Sequence, residues 1–199
     1  MIFAGLTGSI STGKSSVCSI FKGLEVPVID ADMLARDIVM PGEEGWFSVV
    51  QSFGDGILLS DGNIDREKLG RIIFSDKLAR DKLNNCLHPL IIKRLLSDVE
   101  KLKKSIGGSL IIADVPLLIE CEMQKFFDKI LMVYSDRETQ ISRLIKRNNL
   151  TVEEAEKRVN SQMPIEEKRK FADFIIDNCG SFEDMEVNAR DVFYKLTES

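Results

Sequence analysis

Gly8-Ser9-Ile10-Ser11-Thr12-Gly13-Lys14-Ser15 fits the pattern G-x-x-x-x-G-K-[ST], a loop that joins a strand to a helix and wraps phosphates in backbone N–H groups. The flanks agree with that reading. Ile2–Thr7 is an apolar run of buried-strand length, and Ser15 onward places apolar residues at helical spacing, so the loop ends where a helix dipole favours anions. Lys14 is suited to charge on the β- and γ-phosphates of a nucleoside triphosphate. The Ser15 hydroxyl is suited to a Mg2+ ion bridging the same oxygens. The candidate nucleotide site therefore runs through Gly8, Ser9, Ile10, Ser11, Thr12, Gly13, Lys14, Ser15 and Ser16. A guanine-reading N-K-x-D is absent from the sequence, which disfavours a signalling GTPase.

Downstream of the loop, strand-length apolar runs alternate with stretches of helical period. The expected strands are Ile2–Thr7, Val26–Ile29, Leu110–Asp114, Lys129–Tyr134 and Asp173–Asp177, in the manner of a parallel sheet covered by helices on both faces. About 80 residues of mostly helical pattern separate the second strand from the third, too many for one crossover. They predict a helical excursion with its own surface. A last helix packing Phe182, Met185, Val192, Phe193 and Leu196 is expected after Gly180.

The second strand ends in Ile29-Asp30-Ala31-Asp32, which puts two carboxylates at the carboxyl edge of the sheet, where open α/β folds bind ligands. A carboxylate there is placed to accept the proton of an attacking hydroxyl. Asp32 equally suits the cap of a helix over Met33–Met40, and geometry alone leaves both roles open. Arg36, four residues on, either pairs with Asp32 or holds an anionic substrate group. At the end of the third strand, Asp114 is placed either to reach magnesium through water or to cap a following helix. Arg143 and Arg147 share one helix face within a basic stretch, Arg137 to Lys170, that a solvated surface would also explain.

Composition narrows the function classes. With 199 residues, 44% hydrophobic and 30% charged, the chain suits one soluble domain, and 27 Lys+Arg against 32 Asp+Glu give a net charge of -5. No strong basic field is available for nucleic acid or an anionic membrane surface. Its apolar runs are far below the roughly 20 residues of a membrane span. The N-terminus lacks the positive start and long apolar region of a signal peptide, so a cytoplasmic protein is expected. Four scattered cysteines form no C-x-x-C and read as core or surface thiols, while a single histidine, His88, leaves no multi-histidine metal site. No obligate protein partner is evident.

In order along nearly the whole chain, GLTGSISTGKSSV, VIDADMLARDIVMPG, FGDGILLSDGNIDREKL, LHPLI, DVPLLIE, ETQISRLIKRN and ADFIIDNCG resemble the dephospho-CoA kinase family. The resemblance implies a P-loop NTPase α/β fold, three-layer α/β/α, with a five-stranded parallel sheet of order 2-3-1-4-5. It implies one kinase domain over 1–199, with a helical acceptor region at about 32–108 and a lid at about 136–170. The implied reaction moves the γ-phosphate of Mg·ATP to the ribose 3′-hydroxyl of dephospho-CoA, the last step of coenzyme A biosynthesis. Asp32 then becomes the catalytic base, with Lys14 and Arg143 as its catalytic companions. Arg36, His88 and Pro89 fall in the acceptor site, Asp30 becomes a supporting carboxylate, and Asp114 supports magnesium. Arg143 and Arg147 become lid residues for the triphosphate, and Asn178 and Gly180 approach adenine. Other readings are a P-loop kinase of another small acceptor, such as a nucleoside monophosphate, and a non-catalytic ATP-binding regulator. One departure stands out. Many members carry Gly-Gly-Ile-Gly-Ser-Gly-Lys, so Ser9 and Ser11 add Cβ atoms, and a positive φ at either position would be strained.

Overall fold

A computed structural model describes residues 1–105 and 107–198. Ile106 and Ser199, inside the expected domain span, lie outside them. In chain order the elements are β1 (Ile2–Gly8), α1 (Lys14–Gly23), β2 (Val28–Asp30), α2 (Ala31–Asp37), α3 (Glu44–Phe53), α4 (Arg66–Ser75) and α5 (Lys77–Ser105). There follow β3 (Leu110–Asp114), β4 (Lys129–Tyr134), α6 (Arg137–Asn148), α7 (Val152–Asn160), α8 (Ile165–Arg169), β5 (Phe174–Asp177) and α9 (Phe182–Thr197). The chain divides into two compact units, residues 1–29 with 103–199 and residues 30–102.

The first unit is built on a five-stranded sheet of order β2-β3-β1-β4-β5, the expected order. β1 lies between β3 and β4 and runs parallel to both, with Ile2 opposite Leu110, Leu6 opposite Asp114 and Gly8 opposite Val133. A central parallel strand is buried on both faces, which is why β1 and its neighbours read as unbroken apolar runs. The alternation along them separates two packing faces. Ala4, Leu6, Leu110, Ile112, Leu131, Val133 and Ile176 pack with Val17, Cys18 and Phe21 of α1 and Met185, Ala189, Val192 and Leu196 of α9. On the other face Phe3 stacks on Phe127 with ring centroids 4.8 Å apart, and a Cβ at Gly5 would run into Leu118 and Phe127. The β3–β4 connection therefore approaches the sheet closely enough to require glycine. Lys168 of α8 is wholly buried and ion-paired with Glu120 at 2.7 Å, fastening α8 to that same connection.

Strand starts shift by a residue or two. β2 begins at Val28 rather than Val26, because Pro27 has no N–H for a ladder, although its carbonyl accepts from Ile112 N at 2.9 Å. β5 begins after Asp173, whose carboxylate accepts from Ile130 N at 2.8 Å while its own N–H donates to the Ile130 carbonyl at 2.9 Å. In α9 the expected core residue Phe182 is 55% exposed, since it lies in the first turn, and Ala189 takes the place on the buried face.

The second unit has its own core of Val49, Ile57, Ile64, Leu69 and Leu83, with Trp46, Phe53 and Leu87 packed against it. The Asp61-Gly62-Asn63 turn closes an antiparallel bridge between Leu58 and Ile64, and Trp46 Nε1 donates to the Gly62 carbonyl at 2.9 Å. Among the described residues no helix is long and apolar enough to cross a membrane.

Candidate functional site

The phosphate loop starts where β1 ends. Thr12 N and Thr12 Oγ1 both donate to the Ser9 carbonyl, at 3.3 and 2.9 Å, curling the chain into a cradle. Gly13 then opens α1 from the left-handed region at φ 88°, and Ser16 N returns to its carbonyl at 3.0 Å. A Cβ on Gly13 would meet Asn178 Nδ2 well inside contact distance. Glycine is thus required there on two counts, backbone and space. The strain anticipated for the two extra serines falls on Ser11, which has φ 60°; Ser9 has none. The hydroxyls of both are buried without a hydrogen-bond partner.

The loop rests on a floor of polar side chains from the carboxyl ends of β4 and β5. Asn178, just past β5, donates from Nδ2 to the Thr12 carbonyl at 2.8 Å. Ser135, just past β4, donates from Oγ to the Asn178 carbonyl at 2.8 Å and accepts from Arg143 Nη1 at 3.0 Å. Arg143 Nη2 also reaches Asn178 Oδ1 at 3.5 Å, and Gln140 Nε2 holds the Ser135 carbonyl at 2.8 Å. From the loop before α8, Gln162 Oε1 accepts from Ile10 N at 2.8 Å. Asn178 is buried with its amide nitrogen committed to the Thr12 carbonyl, so its side chain braces the phosphate-binding backbone. Gly180 is exposed at the start of the segment leading into α9.

The two arginines expected to act alike are separated by one helical turn. Arg143 points into the floor, whereas Arg147 is exposed and its Nε donates to Asn148 Oδ1 at 2.9 Å. α6 itself starts from Asp136, whose carboxylate accepts from Thr139 N at 2.8 Å.

Lys14 does not extend into solvent; its ammonium is ion-paired with Asp114, at the end of β3, and the two side chains are 17% and 16% exposed. No helix begins directly after β3, so Asp114 caps none. Its second oxygen accepts from the Cys18 thiol at 3.3 Å. Burial, followed by the neighbouring Asp114 charge, pushes the Cys18 thiol up to about 12, so it is a neutral S–H donor. Exposed Ser15 and the Asp114 carboxylate provide the oxygen donors a magnesium ion requires. Among the described residues no group of three or more His, Cys, Asp and Glu forms an all-protein cage. Few protein ligands, completed by phosphate and water, suit Mg2+, and the donor set fits it.

In the second unit the structure shows which of the paired carboxylates caps the helix. α2 begins at Ala31, directly off β2, so Asp30 sits in extended backbone and its carboxylate accepts from Met33 N at 3.0 Å. Asp30 is the cap; Asp32 lies in the first helical turn and is not. The expected helix Met33–Met40 is in fact Ala31–Asp37, with exposed Arg36 in its last turn. Ala35, on the side of α2 that Asp32 and Arg36 also occupy by spacing, lines a cavity of about 560 Å³ with Val39, just past the helix, and with Leu59, Ile64, Arg66 and Leu69. His88 and Pro89 lie well inside α5, which runs unbroken for 29 residues around the proline and loses one backbone hydrogen bond there. Partial burial holds the His88 imidazolium below the ordinary histidine range.

Ser135, Gln140, Gln162 and Cys18 were not legible as site residues. Ser135 alone carried a usable signal, its place at the carboxyl end of a central strand. The others act through contacts between residues far apart in sequence, or through an i,i+4 position that reads as core.

Comparison with known proteins accords with this geometry. The dephospho-CoA kinase family model matches residues 2–184. A dephospho-CoA kinase of Listeria monocytogenes is 47% identical over 179 residues, covering 90% of this chain and 89% of that one. One from Arabidopsis thaliana is 44% identical over 185 residues, covering 93% and 79%. The solved dephospho-CoA kinase of Campylobacter jejuni superposes with a TM-score of 0.74 at 30% identity, over 98% of this chain and 97% of that one. With a phosphate loop, its lysine and its strand-end carboxylate in place, and relatives this similar over this much of the chain, the protein belongs to the dephospho-CoA kinase family.

Proposed function

We propose that the chain transfers the γ-phosphate of ATP to the ribose 3′-hydroxyl of dephospho-CoA, giving CoA and ADP, with Asp32 as the base. The observation that carries the assignment of the base is the division of labour between Asp30 and Asp32. Asp30 is the residue that caps α2, and the Asp32 carboxylate stands exposed in the first turn two residues past the strand. In the reaction the 3′-hydroxyl proton passes to Asp32, the ribose oxygen bonds to the γ-phosphorus, and the bond to the β-phosphate oxygen breaks, releasing ADP. Arg36 holds a phosphate of the acceptor, with His88 and Pro89 contributing to the same acceptor region.

On the donor side the loop N–H groups from Gly8 to Ser16 and the α1 N-terminus hold the phosphates. Lys14 exchanges Asp114 for the β- and γ-phosphates, and Arg143 adds cationic hydrogen bonds as charge shifts toward the leaving oxygen. Arg147 meets the triphosphate from the solvent side of α6. Ser15, and Asp114 through water, would hold magnesium, which supplies charge neutralisation to the phosphates when bound. Gly180 offers backbone to the adenine. We assign the enzyme to the cytoplasm, and its four unpaired thiols, Cys18, Cys86, Cys121 and Cys179, support a reducing compartment.

Asp32→Asn tests the base. The helix keeps its cap, so the variant folds normally; kcat falls by roughly 10²–10⁴-fold with ATP affinity little changed. Asp30→Asn, which still caps, loses less. Near-normal turnover in Asp32→Asn would remove Asp32 from the mechanism.

A further inference from the structure

Asp114 is gripped from both sides by one helix. Lys14 and Cys18 stand four residues apart on α1, hence on the same face one turn from each other. The ammonium pairs with Asp114 Oδ1 and the thiol donates to Asp114 Oδ2 at 3.3 Å. Cys18 is 6% exposed within the core shared by α1, α9 and the sheet, between Val17 and Phe21 on the chain, so packing fixes its rotamer. A carboxylate with only one oxygen engaged is free to turn about its last bond and present either oxygen. Two engaged oxygens are not interchangeable.

We infer that Cys18 is a positioning residue for Asp114, its thiol retaining Oδ2 so that Oδ1 alone passes from Lys14 to the water shell of the magnesium ion that accompanies ATP. The inference rests on the proposed nucleotide site and adds to it. When Lys14 turns to the phosphates, its partner oxygen is vacated in a known direction, because the opposite oxygen is still held. Outer-sphere hydrogen bonds of this kind orient the groups that face a metal and hold them ready before it arrives. A cysteine suits the position because a thiol is apolar enough for the core and still donates. No motif spacing marks it, since position 18 reads as one more core residue of an amphipathic helix.

The test compares wild type with Cys18→Val, which keeps bulk and loses the donor, and Cys18→Ser, which keeps a donor. Mn2+ is titrated calorimetrically into each protein saturated with a non-hydrolysable imido analogue of ATP, and the analogue is separately titrated without metal. Cys18→Val should weaken metal binding by roughly 10-fold, the lower end of what outer-sphere partners contribute, with metal-free analogue binding within about 2-fold of wild type. Cys18→Ser should recover most of that loss. Wild-type metal affinity in Cys18→Val would overturn the inference, as would equal losses in both variants alongside equal falls in melting temperature, which would make the thiol mere packing. If wild type itself binds no analogue, the nucleotide site fails first, and this inference with it.

Discussion

The side-chain amide of Asn178 donates to the carbonyl oxygen of Thr12 across 2.8 Å, linking the residue after the last strand to the middle of the phosphate loop. Both residues are buried, Thr12 completely. The loop is therefore held from below by β5 as well as from behind by β1, and its shape is set before any nucleotide arrives. Asn178→Ala leaves the Thr12 carbonyl with only a long contact to Ser135, at 3.5 Å. A buried carbonyl deprived of its donor costs about 1–3 kcal/mol, to be read as a fall in stability to chemical denaturant together with weaker ATP binding. Unchanged stability would show that the amide only fills space.

Ser11 carries the loop's strain. Its φ of 60° is a conformation that side chains disfavour, and its hydroxyl has no partner in compensation. Ser11→Gly relieves the backbone and removes the orphan while loosening the unfolded chain, so the unliganded protein should gain up to about 1 kcal/mol. Thermal melting of the two proteins without nucleotide decides it; a lower melting temperature for Ser11→Gly would contradict the account.

Arg143 and Arg147 should separate in kinetics as they do in position. Arg143→Ala removes a cation anchored on Ser135 beside the loop and should lower kcat about 10²-fold, the scale of one preorganised charge donor. Arg147→Ala, at an exposed site, should cost less than about 10-fold. Neither should alter acceptor affinity comparably. Equal losses in the two variants would contradict the assignment of Arg143 to the floor of the loop.

His88 gives a pH dependence with a definite sign. Burial lowers its folded pKa, so the folded state binds the proton less well than the unfolded chain. The corresponding stability is complete above the unfolded value of about 6.5 and is lost as pH falls from there through the folded value. His88→Gln should flatten the decline in melting temperature between about pH 7 and about pH 5. An unchanged decline would assign it to carboxylates elsewhere.

Much of this structure is legible in the sequence, for reasons that also explain the misses. β3 and β4 match their expected ends residue for residue because a strand buried on both faces is a continuous apolar run bounded by polar residues. The phosphate loop is legible because its chemistry demands fixed types at fixed spacing. The roles of Asp30 and Asp32 are not, since a helix boundary uncertain by two residues decides which of them caps. The braces beneath the loop join Thr12 to Asn178 and Ser135 to Arg143, contacts made by the order of strands and without any periodicity.

The most direct measurement is the mass and phosphate position of the product formed when the purified protein is incubated with Mg·ATP and dephospho-CoA. The account predicts a gain of about 80 Da on the acceptor, one phosphoryl group, at the ribose 3′-oxygen, with stoichiometric ADP. ATP hydrolysis without a modified acceptor, or transfer to a nucleoside monophosphate in preference to dephospho-CoA, would contradict it.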